Sequence, residues 1–92
     1  MKYKSVNNFI GEELVEGGGE KLDVYNPLDG SVISQVILST AEAVDKAVQT
    51  AKAAFPSWSN TPIKERVQVF FKYKSLLEEN MDELTKLIQE EN

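Results

Sequence analysis

The sequence contains no cysteine and no histidine. The first absence removes disulfide staples, a thiolate nucleophile and Cys-rich metal centres. The second removes the commonest general base and the commonest transition-metal ligand. Catalysis within this chain would rest on carboxylates, Lys, Tyr or Ser alone. Proline is scarce, with three residues, and Trp58 is the single tryptophan. No apolar run approaches the ~20 residues of a membrane span. The basic start Met1-Lys2-Tyr3-Lys4 leads into no hydrophobic segment of signal-peptide length. A cytoplasmic location is the default expectation, with no membrane as partner. Basic residues are outnumbered, 10 against 15 acidic, for a net charge of −5. That balance argues against nucleic acid, which demands a positive footprint.

What is present fits at most one small domain of ordinary globular composition, 41% hydrophobic and 27% charged over 92 residues. Residues 1–38 read as strand and turn. Phe9-Ile10 and Leu14-Val15 flank Gly11-Glu12-Glu13, a hairpin spacing. Gly17-Gly18-Gly19 reads as a chain break that cannot pack. Leu22 and Val24 then alternate with Asp23, and Asn26-Pro27-Leu28-Asp29-Gly30 carries turn chemistry. Ser31–Leu38, rich in β-branched residues, is expected to be the longest strand.

Residues 39–92 read as helical. Ser39-Thr40-Ala41-Glu42 has the form of a capping box with Ser39 as the cap. Val44, Ala47, Val48, Ala51 and Phe55 make a narrow stripe of mostly small residues, and Pro56 is expected to stop the helix. Thr61 is expected to cap the next helix with Pro62 in its first position. Asn80 divides it, at about 62–79, from a third helix at about 81–91, for which Asn80 would be the N-cap.

The middle helix is apolar on too many sides. At 100° per residue, Val67, Val69, Phe70, Phe71, Tyr73, Leu76 and Leu77 spread over roughly 220°, whereas a surface helix needs an apolar stripe of little more than ~100°. Either further polypeptide covers this face, or the chain self-associates through it, or a compact three-helix packing covers both sides.

Other motifs carry less. Gly17-Gly18-Gly19-Glu20-Lys21 suggests a phosphate loop, but Leu22 follows the Lys and the next segment is extended, so a plain loop is the better reading. Phe70-Phe71-Lys72-Tyr73-Lys74 interleaves aromatics with bases, yet on a helix these point in different directions. The acidic residues Glu78, Glu79, Asp82, Glu83, Glu90 and Glu91 lack the spacing of a calcium loop. Trp58, between Pro56 and Pro62, reads as a plug between two helices.

The order of these segments resembles the opening of the aldehyde dehydrogenase superfamily. The resemblance is carried by Asn8-Phe9-Ile10-Gly11-Glu12, by Val24-Tyr25-Asn26-Pro27, by Asp29-Gly30-Ser31-Val32-Ile33 and by Ala43-Val44-Asp45-Lys46-Ala47-Val48. Ala51 to Pro56, Trp58 to Arg66 and Phe71-Lys72-Tyr73 look most like the methylmalonate-semialdehyde branch, which is acylating and coenzyme-A-dependent. After Glu91-Asn92 that family usually runs on into Gly-Lys. Glu13-Leu14 departs from the pattern, which commonly has Trp after the Glu, and the triple glycine is unusual.

The resemblance implies an α+β fragment, short N-terminal strands then three helices, of an α/β aldehyde-dehydrogenase-like fold. Residues 1–38 would be the β region, and 39–92 would form part of the parent's cofactor-binding domain. It implies a parent that uses NAD, with coenzyme A as co-substrate, and that is a homo-oligomer. The partner of this segment would be the remainder of that enzyme. The family's nucleophilic Cys, its oxyanion Asn and its dinucleotide turn lie further along the family's chain, so no catalytic or cofactor-binding residue is assigned here. In several relatives a monovalent cation is held partly by backbone carbonyls just before the Asn-Pro, which are Val24 and Tyr25 in this sequence. The alternative is a stand-alone, non-enzymatic module that binds a partner protein or a second copy.

Overall fold

A computed structural model describes all 92 residues. The chain begins with β1 (Asn8–Ile10) and β2 (Glu13–Val15), continues through β3 (Gly18–Tyr25) and β4 (Val32–Ser39), and ends in α1 (Ala41–Ser59), α2 (Ile63–Glu79) and α3 (Met81–Glu91). This is the expected α+β order.

Each β pair is a local antiparallel hairpin. β1 and β2 pair Asn8 with Val15 and Ile10 with Glu13. Gly11 and Glu12 between them both have positive φ, 60° and 68°. A two-residue connection of that kind matches the twist of the flanking strands. β3 and β4 form the larger pair, with Leu22 opposite Val36 and Asp23 opposite Gln35. Gln35 Nε2 donates to Asp23 Oδ1 at 2.8 Å across the ladder. The turn between these strands is held by its own side chains. Asn26 Oδ1 accepts from the Leu28 N–H, and Asp29 Oδ1 accepts from both the N–H and the hydroxyl of Ser31. These hydrogen bonds from Ser31 hold the Asp29 carboxyl below its ordinary value.

The N-terminal residues, which the sequence left without a role, run beside β4. Tyr3 N–H donates to Ile33 O at 2.8 Å and Val6 N–H to Gln35 O at 2.7 Å, and Val6 bridges Val36 in parallel. The small core sits beneath this strap. Ile33 and Ile37, two residues apart twice over and so on one face of β4, are the buried hydrophobics. Buried Ser34 donates its hydroxyl to Lys4 O at 2.8 Å.

Several local expectations need correction. The triple glycine packs rather than breaking the chain: Gly17 is buried, and Gly18 and Gly19 belong to β3. A Cβ at Gly17 or Gly19 would stand 2.6 or 2.5 Å from Leu38 O, so only glycine lets these backbones lie so close. The first helix is capped by Thr40, whose hydroxyl accepts from the Ala43 N–H at 3.2 Å. Ser39 is instead the last residue of β4, and its hydroxyl accepts from Asn8 Nδ2 at 2.7 Å.

Pro56 does not stop α1, which runs on to Ser59. It removes one N–H donor. The final turn still closes because Ser59 Oγ and Asn60 Nδ2 donate to Pro56 O, and Thr61 Oγ donates to Ser57 O. That use of Thr61 leaves α2 without a side-chain cap, so Pro62 is its N-cap and accepts from Glu65 N–H and Arg66 N–H. Asn80 does divide α2 from α3, as C-cap of the one and N-cap of the other, but its side-chain amide donates back to Leu76 O at 2.8 Å, so it makes no side-chain bond to the first turn of α3.

No residue of the three helices is buried. The compact three-helix alternative is therefore not the arrangement adopted. The radius of gyration is 16.9 Å, against about 12 Å for a compact domain of this length. Solvent-accessible surface is 7709 Å², where a compact 10.3 kDa protein shows about 5,400 Å².

Candidate functional site

The feature that sets this chain apart is uncovered apolar surface. On α2, Phe70 is 64% exposed and Phe71 60%, and Val69, Tyr73 and Ile63 are also more than half open. The seven apolar residues that the helical wheel spreads around α2 all face solvent to a large extent. On α1, Val44, Val48 and Phe55 are likewise exposed. The small residues of α1 do admit a neighbour: Ala43, Val44, Ala47 and Val48 line one shallow groove with Phe9 and Ile10 of β1. Trp58, itself 41% exposed, lines an open depression with Ile63, Arg66, Val67 and Phe70 where α1 turns into α2.

The excess over a compact protein is about 2,300 Å². One partner in a stable protein complex contributes about 800 Å² to its interface. The uncovered surface is thus large enough for extensive packing and lies on several sides.

The second organised feature is a polar clamp. Lys2 Nζ donates to Glu90 Oε1 and the Tyr3 hydroxyl donates to Glu90 Oε2, both at 2.9 Å. Lys2 also lies 5.5 Å from the centre of the Tyr3 ring. The clamp ties α3 to the strap on β4, and Leu87 and Glu91 of α3 line a depression with Tyr3, Val6, Val24 and Val36. Hydrogen bonds from Lys2, then from Tyr3, hold the Glu90 carboxyl below its ordinary value. The bond to Glu90 raises Lys2 and Tyr3 above theirs. Glu90 therefore stabilises the docked helix above the ordinary carboxylate range, and that contribution is lost as pH falls through its lowered value. Lys2 and Tyr3 contribute below their ordinary values and lose this as pH rises through their raised ones. Amide exchange in residues 81–91 is expected to be slowest from about pH 5 to about pH 10 after correction for intrinsic rates. Glu90→Gln should flatten the acid side of that profile, and an unchanged profile would show that the clamp does not hold α3.

Val24 and Tyr25, the residues singled out as cation ligands, are consecutive at the end of β3. Val24 pairs with Ser34 but Tyr25 with Val32, so the ladder is irregular between them. Such a bulge turns backbone groups out of the regular pattern. No group of three or more His, Cys, Asp or Glu side chains is placed to hold a metal ion. The Gly17–Gly19 run leads into β3 rather than into a helix N-terminus, so its amides form no phosphate cradle. No helix is long and apolar enough to cross a membrane.

The sequence reading missed the strap, the clamp and the condition of Arg66, whose Nε is closed off from solvent with no hydrogen-bond partner. Tyr3 and Val6 are three positions apart, so they show no period-2 alternation that would mark a strand. Nothing local to Lys2 or Glu90 announces a pair 88 residues apart.

Comparison with known proteins adds a family to this geometry. A family model described as the aldehyde dehydrogenase family matches residues 14–92. A malonate-semialdehyde dehydrogenase 2 of Oceanobacillus iheyensis is 47% identical over 90 residues, 97% of this chain and 18% of that protein. One of the same name from Bacillus cereus is 50% identical over 88 residues, 95% of this chain and 18% of its own length. A malonate-semialdehyde dehydrogenase of Pseudomonas aeruginosa is 41% identical over 88 residues, 96% of this chain and again 18% of its own. The chain thus spans under a fifth of the length of these relatives.

Proposed function

The chain belongs to the aldehyde dehydrogenase family, and we infer from that membership that residues 1–92 serve as the N-terminal scaffold of a larger NAD-dependent enzyme. That enzyme oxidises malonate or methylmalonate semialdehyde and delivers the acyl group to coenzyme A. It is a cytoplasmic homo-oligomer. The observation that carries this reading is the uncovered surface of α2, which matches a segment built to be packed on two sides by more polypeptide. The names and lengths of the relatives support it.

Within the enzyme, residues 1–38 form its first β region and residues 39–92 form part of the cofactor-binding domain. The residues of this chain do not themselves fit a dinucleotide. Their one glycine cluster packs against Leu38 and feeds a strand, and no helix N-terminus follows it. NAD and coenzyme A are therefore assigned to polypeptide outside these 92 residues, and this segment acts by covering and positioning it. One direct contribution is proposed: the carbonyls of Val24 and Tyr25, at the irregular end of β3, supply part of a monovalent-cation site.

The test is purification of the protein from its native cell, with intact mass and activity measured together. A mass several times 10.3 kDa, with nicotinamide reduction by either semialdehyde that depends on coenzyme A, is the expected result. A native product of 10.3 kDa forming a defined dimer would overturn it in favour of a stand-alone self-associating module. In the same preparation, replacing potassium and sodium by choline should lower the unfolding temperature. No change would remove Val24 and Tyr25 from consideration as ligands.

A further inference from the structure

One edge of β4 is covered by the strap alone. The segment Val32–Leu38 reads VISQVIL, with four β-branched residues and no charge, glycine or proline. Such a run on an open edge is a template for pairing with another chain. Ser34 and Val36 pair with Val24 and Leu22 of β3, whereas Ile33 O and Gln35 O accept from the strap and Ile37 N–H donates to it. Backbone groups of successive strand residues alternate between the two edges. Ile33, Gln35 and Ile37 therefore direct theirs away from β3. The strap meets them through three backbone hydrogen bonds, of 2.8, 2.7 and 3.5 Å. Ser34 Oγ adds a bond to Lys4 O, and Glu90 of α3 holds Lys2 and Tyr3. The cover is short, and its last bond is a long one. It also replaces an uncharged edge by one that carries Lys2 and Lys4, and lysine on an edge opposes further pairing.

We propose that the edge of β4 beneath the strap is a pairing surface for the same edge of a second copy of this chain, and that the strap keeps it closed. The segment is complementary to itself. Placed antiparallel about a two-fold axis at Gln35, Gln35 faces Gln35 of the second copy, and Ile33 faces Ile37. These are the residues whose backbone groups point outward, so each facing pair can exchange both of its hydrogen bonds. The isoleucines meet as β-branched cross-strand pairs, and no like charges oppose each other. The same patch on both partners is what a closed dimer requires. The proposal goes beyond the enzyme reading and does not depend on the polypeptide that adjoins residues 1–92.

The test introduces Gln35→Cys into the protein as its native cell makes it. After mild oxidation, mass spectrometry looks for a disulfide that joins position 35 of two copies. Facing residues of this kind stand about 5.5 Å apart at Cα, within disulfide reach. With the strap intact the link should be scarce. Val6→Pro deletes the N–H that bonds Gln35 O and should raise the yield about tenfold, the upper end of what one lost backbone bond contributes. Lys2→Met with Tyr3→Phe frees the strap from Glu90 without touching its backbone bonds, and should raise the yield less. If neither raises it, the proposal is overturned. Val32→Cys controls for register, because position 32 faces position 38 in the paired arrangement and never meets itself. A link at 32 formed as readily as at 35 shows general aggregation and overturns the proposal. Gln35→Lys keeps Asp23 beside it but sets like charges against each other on the two-fold axis. Added to Val6→Pro, it should return the sedimenting mass to the native value, and association that persists in this double variant overturns the proposal as well. Every comparison is between variants of one preparation. A native mass of 10.3 kDa, or of several times that, therefore leaves the result intact, and the enzyme reading stands or falls separately.

Discussion

Isolated in dilute buffer, residues 1–92 are expected to bind an apolar-surface dye strongly and to lose helical signal gradually on heating, without a sharp transition. The physical reason is where the apolar residues lie. Fully burying residues such as Phe70, Phe71, Leu76 and Leu77 stabilises a fold by about 1.5–3 kcal/mol each. In this chain all four remain at least 40% exposed. That forfeited burial is comparable with the ~5–15 kcal/mol that holds a whole domain together. The helices also lack the buried face from which most helical stability in proteins derives. Differential scanning calorimetry with parallel dye binding checks this. A single transition whose calorimetric and van't Hoff enthalpies agree, from a monomer, would show that α2 is covered after all.

Replacing Ile37 by Ala is expected to cost about 2–5 kcal/mol of local stability. Ile37 is 7% exposed at the centre of β4, opposite Lys21, with the strap residue Val6 accepting from its N–H. With Ile33 it makes up the buried hydrophobic core, so few neighbours can close the cavity. Amide exchange reports the loss: protection of β3 and β4 should fall by more than tenfold. Phe71→Ala removes a larger side chain but should leave that protection nearly unchanged in the 92-residue chain, because the ring is already solvated. If the phenylalanine change were as damaging as the isoleucine change, the core would not lie where we place it.

The contrast between these residues also explains what was legible in the sequence. Element order could be read from patterns of period 2 and 3.6, and the breadth of the apolar arc on α2 predicted its exposure. The turn at Asn26–Gly30 and the hairpin at Gly11-Glu12 followed from residue chemistry that acts within a few positions. Errors arose where two local roles competed for one residue. Thr40 rather than Ser39 caps α1 because Ser39 is held by Asn8 at the end of β4. Thr61 cannot cap α2 because its hydroxyl closes α1, and that same closure carries the helix past Pro56. The glycines misled because their value lies in a strand that approaches them from twenty residues away, at Leu38. Of the site, the apolar face was visible in the sequence. The partnerless Arg66 nitrogen was not, since burial of one atom depends on the three-dimensional arrangement around it.

The clamp between Lys2 and Glu90 joins residues 88 positions apart. Closing a flexible loop of that length costs about 4 kcal/mol in chain entropy before any constant is added. An ion pair at the surface contributes less than this. The pair therefore cannot draw the two ends of the chain together. It can form only after the strap has joined β4 and α3 has settled nearby, so within this segment it is among the last contacts made on folding and among the first released on unfolding.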